Sequence, residues 1–162
     1  MIEILTVGGT IDKVYFDALS AFQVGEPAVE QILHQAGVEV EHGIRRLMSK
    51  DSLEMTDDDR AEIARAVSRS RADRLLITHG TDTMPKTAGA LMDAADRLGK
   101  TVVMTGSMQP ARMAQTDAVF NVGFAWAAVQ TLPPGVYIAM NGQVFNAGHV
   151  RKNRDAGRFE TA

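Results

Sequence analysis

Four hydroxyl-bearing residues stand just past apolar runs. Thr10 follows "IEILTV" (2–7) and the pair Gly8-Gly9, Ser52 follows a run at 38–48, Thr81 follows Leu75-Leu76-Ile77, and Ser107 follows "TVVMTG" (101–106). A threonine hydroxyl attacks a carbonyl only when a base or an electrostatic partner assists it. Asp82 adjoins Thr81, but an ordinary carboxylate is a poor match for a hydroxyl proton, and a neutral lysine would serve better. Lys152 is a candidate; from spacing alone, however, the simpler reading puts it on a solvated tail with Arg151, Arg154 and Arg158.

Other chemistries fail on spacing. Gly8 and Gly9 are adjacent with no third glycine, so the dinucleotide fingerprint is missing. "GKT" at 99–101 has Ala94 where a phosphate loop needs its first glycine, and it precedes a strand. His34, His42, His79 and His149 show no ligand spacing, so no metal is expected, and His34 and His42 read as surface residues. With no cysteine there is no disulfide or thiolate chemistry. A net charge of -3 gives no reason to expect nucleic acid or an anionic membrane as partner.

The elements that must position these residues alternate. The continuous run at 75–77 suits a strand buried on both faces of a parallel sheet. Further strands are predicted at 2–7, 38–48, 101–106 and 135–140. Pro27 at a first helical position predicts a helix over 26–35, and Thr56 with Asp59 caps the next, which makes the acidic run 57–59 a first-turn feature. Ala88, Leu91, Met92 and Ala95 mark a third helix, and a fourth falls at about 116–130. "DKVYFDALSAFQVGE" (12–26) reads as a loop, "NGQVF" as a tight turn with a small hairpin, and residues 146–162 as a polar tail. The expected fold is α/β, a doubly wound, mainly parallel sheet flanked by helices in three layers, in one domain spanning 1–162. In such a sheet Thr10, Ser52, Thr81 with Asp82, and Ser107 share the carboxyl edge, where small polar ligands bind.

"VGGTID" at 7–12, "DSLEMT" at 51–56, "ITHGTDTM" at 77–84, "VVMTGSMQP" at 102–110 and "HVRKN" at 149–153 come in the order of the motifs of the bacterial-type L-asparaginases. The chain resembles the larger, N-terminal domain of that family along its whole length. The resemblance implies a short-chain asparaginase without a C-terminal domain. It implies hydrolysis of L-asparagine, and of glutamine more slowly, to the acid and ammonia, with no cofactor and through a covalent acyl-enzyme. By the same resemblance Thr10 is the favoured nucleophile, and Thr81, Asp82 and Lys152 form a second catalytic group. Asp82 also holds the substrate ammonium, Asp51 and Ser52 with their backbone take the α-carboxylate, Gly80 permits close approach, and Ser107 lines the amide pocket.

Departures from the pattern are visible too. Phe22 stands nearest the position of the family tyrosine that activates the first threonine, so Tyr15 is the expected substitute, and Leu53 replaces a polar residue after Ser52. A catalytically silent amino-acid-binding module is the alternative, with Phe22 its best argument. The ammonia-producing subunit of a larger amidotransferase ranks lower, because such subunits carry extra domains. Apolar surface normally covered by the second domain predicts a homo-oligomer, a dimer or larger. Glu3 and the lack of a basic leading segment predict a cytoplasmic address.

Overall fold

The computed structural model describes residues 1–162. Five parallel strands form its centre: β1 (Ile2–Gly8), β4 (His42–Lys50), β5 (Arg74–Thr78), β6 (Thr101–Thr105) and β7 (Gly135–Met140), with β8 (Gln143–Asn146) antiparallel at one edge. The spatial order is β4-β1-β5-β6-β7-β8. Helices α1 (Ala28–Gln35), α2 (Asp57–Arg69), α3 (Met84–Leu98) and α4 (Ala118–Thr131) connect the parallel strands. The expected doubly wound α/β sheet is therefore what forms.

Alternation along each strand builds two cores. Leu5, Leu75, Ile77, Val102 and Met104 pack with Ile63, Val67, Ala88 and Leu91 of α2 and α3. Ile4, Leu76 and Val103 pack with Val29, Ile32, Val122 and Trp126 of α1 and α4. Both faces of β5 are buried, which is why Leu75, Leu76 and Ile77 read as one apolar run. No helix is long and apolar enough to cross a membrane.

The chain leaves β1 toward α1 on one face and leaves β5 toward α3 on the other. The two neighbouring strands thus part at their carboxyl ends, and the crevice between them is the topological switch point where such sheets bind ligands.

Four local expectations are corrected. Residues 12–26 are not a loop: β2 (Lys13–Phe16) and β3 (Ala21–Val24) form an antiparallel hairpin, with a 3-10 turn at its tip. Both strands lie largely in solvent, so neither shows the apolar alternation that reveals a strand. The tail after Asn146 is also a hairpin, β9 (Val150–Asn153) with β10 (Arg158–Thr161), whose apolar contacts with the core are Val150 and Phe159. Pro27 precedes α1 as its cap instead of opening it, and the second parallel strand runs over 42–50, later than expected. The "NGQVF" hairpin forms as read, with Asn141 and Gly142 both at positive φ as a tight primed turn requires. Thr56 and Asp59 make both arms of a capping box, Asp59 N–H to Thr56 Oγ1 at 3.2 Å and Thr56 N–H to Asp59 Oδ2 at 2.8 Å.

Glycine decides how closely β1 and β5 approach. Gly9 has φ +92°, and a Cβ there would lie 2.3 Å from Gly80 Cα. Gly9→Ala should therefore lower the thermal midpoint by about 4 °C or more, the effect of roughly 2 kcal/mol of strain in a domain of this size. A midpoint within about 1 °C of wild type in calorimetry would show that the strand ends part easily.

Candidate active site

The switch point gathers the hydroxyls. Thr10 opens a 3-10 turn (Thr10–Asp12) directly after Gly9, and Thr81 directly follows Gly80, so the glycine contact places the two threonines on abutting strand ends. A Cβ on Gly80 would also lie 2.6 Å from Ser52 Cβ, which brings the end of β4 into the same crevice. Ser52 is buried, and its carbonyl accepts a bond from Thr83 Oγ1 at 2.7 Å.

Lys152 arrives from far along the chain. It pairs across the hairpin with Phe159, and because side chains directly opposite in a ladder share a face, the burial of Phe159 turns Lys152 toward the crevice. Lys152 Nζ donates to Thr81 Oγ1 at 2.7 Å and to Asp82 Oδ1 at 2.7 Å. Hydroxyl, carboxylate and amine thus form one connected group, and the solvated-tail reading of Lys152 is corrected. Arg154 stays largely in solvent, but its Nε lies 3.3 Å from Asp82 Oδ1.

The remaining predicted residues divide. Asp51 sits at the crevice edge, where Lys13 Nζ bonds its Oδ2 at 2.6 Å and Leu53 N–H its Oδ1 at 3.2 Å. Burial works to raise the Asp51 carboxyl, but the Lys13 bond and the backbone donors outweigh it and hold it below its ordinary value. Ser107 is buried, but its hydroxyl donates to the Gln109 carbonyl in its own loop. Tyr15 is not brought in: it stands exposed on β2 with its ring edge-on to Phe22 at 5.4 Å.

Several supporting residues escaped the sequence reading. His79 is fully buried; its Nδ1 bonds Gly80 O at 2.6 Å and its Nε2 bonds Thr87 Oγ1 at 2.9 Å. Burial lowers its pKa to about 4, against the opposing pull of the Gly80 bond, and Arg60 lowers it further. The neutral ring therefore donates from Nδ1 and fixes the Gly80 carbonyl. A histidine at the end of a strand buried on both faces was the available signal. Asp117 accepts from Met108 N–H and Gln109 N–H at 2.9 and 3.0 Å, and Asn121 Nδ2 donates to Asp117 and to the Gly106 carbonyl, so α4 holds the loop after β6. Arg60, also buried, donates to the Met55 carbonyl at 3.2 Å and braces the turn that carries Ser52.

Asp12 anchors the turn carrying Thr10. Its Oδ1 accepts Ala28 N–H at 2.8 Å at the start of α1, and its carbonyl accepts Gly25 N–H at 2.7 Å, closing the base of the β2–β3 hairpin. Burial raises its carboxyl to about 6, with the Ala28 bond, Arg112 and Arg46 pulling the other way. No group of three or more His, Cys, Asp or Glu side chains could hold a metal ion.

Fold and site define a doubly wound α/β domain with a hydroxyl, carboxylate and amine cluster at its switch point. The family model for the N-terminal domain of asparaginase matches residues 1–160, and the chain belongs to that family. It is 32% identical to an L-asparaginase of Thermococcus kodakarensis, over 95% of this chain and 48% of the relative. To L-asparaginase 2 of Escherichia coli it is 31% identical, over 99% and 49%. The solved thermostable L-asparaginase of T. kodakarensis superimposes with a TM-score of 0.84 at 28% identity, over 99% of this chain and 50% of that one. The chain spans about half the length of the curated relatives it matches.

Asp12 and His79 oppose one another in proton linkage. Asp12 binds its proton more readily when folded, so its contribution is complete below 3.8 and is lost as pH rises through about 6. His79 binds its proton less readily when folded, so its contribution is complete above 6.5 and is lost as pH falls through about 4. Between these limits the wild-type stability curve should be shallow. Asp12→Asn keeps an acceptor for Ala28 and should expose a steady loss of urea stability as pH falls from 6.5 toward 4. Parallel curves for the two proteins would show that Asp12 titrates normally.

Proposed function

We propose that this site hydrolyses the side-chain amide of L-asparagine to L-aspartate and ammonia, with slower turnover of L-glutamine. The observation that carries the reading is the Lys152 amine bonded to both Thr81 and Asp82 beside the turn of Thr10. Thr10 Oγ attacks the amide carbon, its proton passes to the departing nitrogen, and the C–N bond breaks to leave an ester and ammonia. Lys152 with Asp82 then assists Thr81 or a water in the proton transfers by which water cleaves that ester. Backbone N–H groups around Gly9 and Thr10 serve the oxyanion. Asp82 takes the substrate ammonium, and the Asp51–Ser52 turn takes its α-carboxylate. Family membership and the asparaginase names of the similar proteins support this reading.

A second reading, a binding module without turnover, is favoured by one feature: Tyr15, the only tyrosine in the hairpin beside Thr10, lies exposed against Phe22. Ammonia release from L-asparagine and L-glutamine separates the two. Wild type should turn over, Thr10→Ala and Thr81→Ala should abolish turnover, and Lys152→Met should lower it by about 10² to 10⁴. A folded wild type that binds L-aspartate in calorimetry and releases no ammonia would establish the binding module instead.

The reading includes a homo-oligomer. Val119 and Phe120 on α4 and Val144 on β8 are exposed, and Phe120 stacks on Phe124 with centroids 6.2 Å apart, so the protein presents an apolar surface beside an open sheet edge. Sedimentation at micromolar concentration should show a dimer or larger; a single monomer species would refute it.

A further inference from the structure

Asp82 is shared by two cations. Its Oδ1 receives Lys152 Nζ at 2.7 Å and Arg154 Nε at 3.3 Å. Nearby, Arg151 pairs with Glu160 at 2.7 Å across the hairpin and Lys13 pairs with Asp51 at 2.6 Å, while Asp155 and Arg158 of the same hairpin carry opposite charges. One carboxylate therefore faces two cations, and the crevice mouth carries a surplus of positive charge where the proposed function places the substrate ammonium.

The backbone holds Arg154 there. It follows directly on β9 in a tight turn in which Ala156 N–H bonds Asn153 Oδ1 at 3.1 Å and Gly157 N–H bonds the Arg154 carbonyl at 3.2 Å. Gly157, at φ +60°, closes that turn into β10. The guanidinium can swing on its own side chain, but its Cα is tied to the same hairpin that delivers Lys152.

We propose that Arg154 is a specificity-determining residue of this site, acting against side-chain amides with a charged α-nitrogen and in favour of those that lack one. The inference rests on the reading of the site as an amidohydrolase. An ammonium that reaches Asp82 meets the Arg154 charge on the same carboxylate and must repel it or displace it. A substrate with no ammonium leaves the pair intact, and its carboxylate gains from the positive surplus. Arg154 is largely exposed, so solvent and salt screen the effect and keep it modest.

The test is steady-state ammonia release from L-asparagine and from succinamic acid, the same amide without the α-amino group, by wild type, Arg154→Ala and Arg154→Lys. In Arg154→Ala the ratio of kcat/KM for asparagine over succinamic acid should rise about five-fold, carried by KM, as expected for removing one screened charge near the ammonium. Arg154→Lys should stay near the wild-type ratio, and about 0.5 M salt should narrow the gap between wild type and Arg154→Ala. An active Arg154→Ala with an unchanged ratio, or a change shared by Arg154→Lys, overturns the role of Arg154 while leaving the amidohydrolase reading intact. Wild type that releases ammonia from neither amide overturns that reading, and the inference with it.

Discussion

The site depends on strand ends that touch backbone to backbone. A Cβ on Gly9 would collide with Gly80, one on Gly8 with Lys50, and one on Gly106 with the His79 carbonyl. These glycines let the ends of β4, β1, β5 and β6 converge more closely than any side chain would permit. Thr10, Ser52, Thr81 and Ser107 each lie within two residues of one of these contacts or of its partner. Their convergence is a consequence of sheet geometry and of missing Cβ atoms, before any side-chain bond is counted.

Polar bonding then holds what the glycines bring together. His79 and Thr87 fix the Gly80 carbonyl, Thr83 fixes that of Ser52, and Asp117 with Asn121 fixes the loop beyond Gly106. Each uses a buried or half-buried group whose bonds are satisfied within the protein, the condition under which a polar side chain inside a fold lends rigidity rather than cost. Asp12 does the same for the turn of Thr10, at the expense of a carboxylate kept from water. Its raised pKa and the lowered pKa of His79 have one origin, burial, with opposite effects on a group that gains charge by losing a proton and one that gains charge by binding it.

Charge at the crevice mouth comes from the last hairpin. β9 and β10 carry almost no apolar surface, and Val150 and Phe159 are their only buried apolar side chains. Lys152 stands opposite Phe159, so one buried aromatic ring sets the direction of the amine that bonds Thr81 and Asp82. The β2–β3 hairpin has a similar link at its base, where Lys13 reaches Asp51, while its tip and Tyr15 lie out in solvent.

Elements that bury an apolar stripe were legible in the sequence. Leu75 to Ile77, the capped helix after Thr56 and the Asn141-Gly142 turn each declare themselves through local periodicity or turn chemistry, and the alternation of strand and helix is enough to imply a shared carboxyl edge. The motifs around Thr10, Ser52 and Thr81 were legible for the same reason, since they follow directly on such strands. The β2–β3 hairpin carries no periodic signal because it buries no face, and β9–β10 carries almost none because only Val150 and Phe159 are buried along it. What Lys152 and Arg154 pair with depends on a strand register and on a core contact some seventy residues from Asp82 in the chain. Local composition determined the elements and the strand-end hydroxyls; only the tertiary structure decided which distant cations meet them, because that choice is made by packing across the fold.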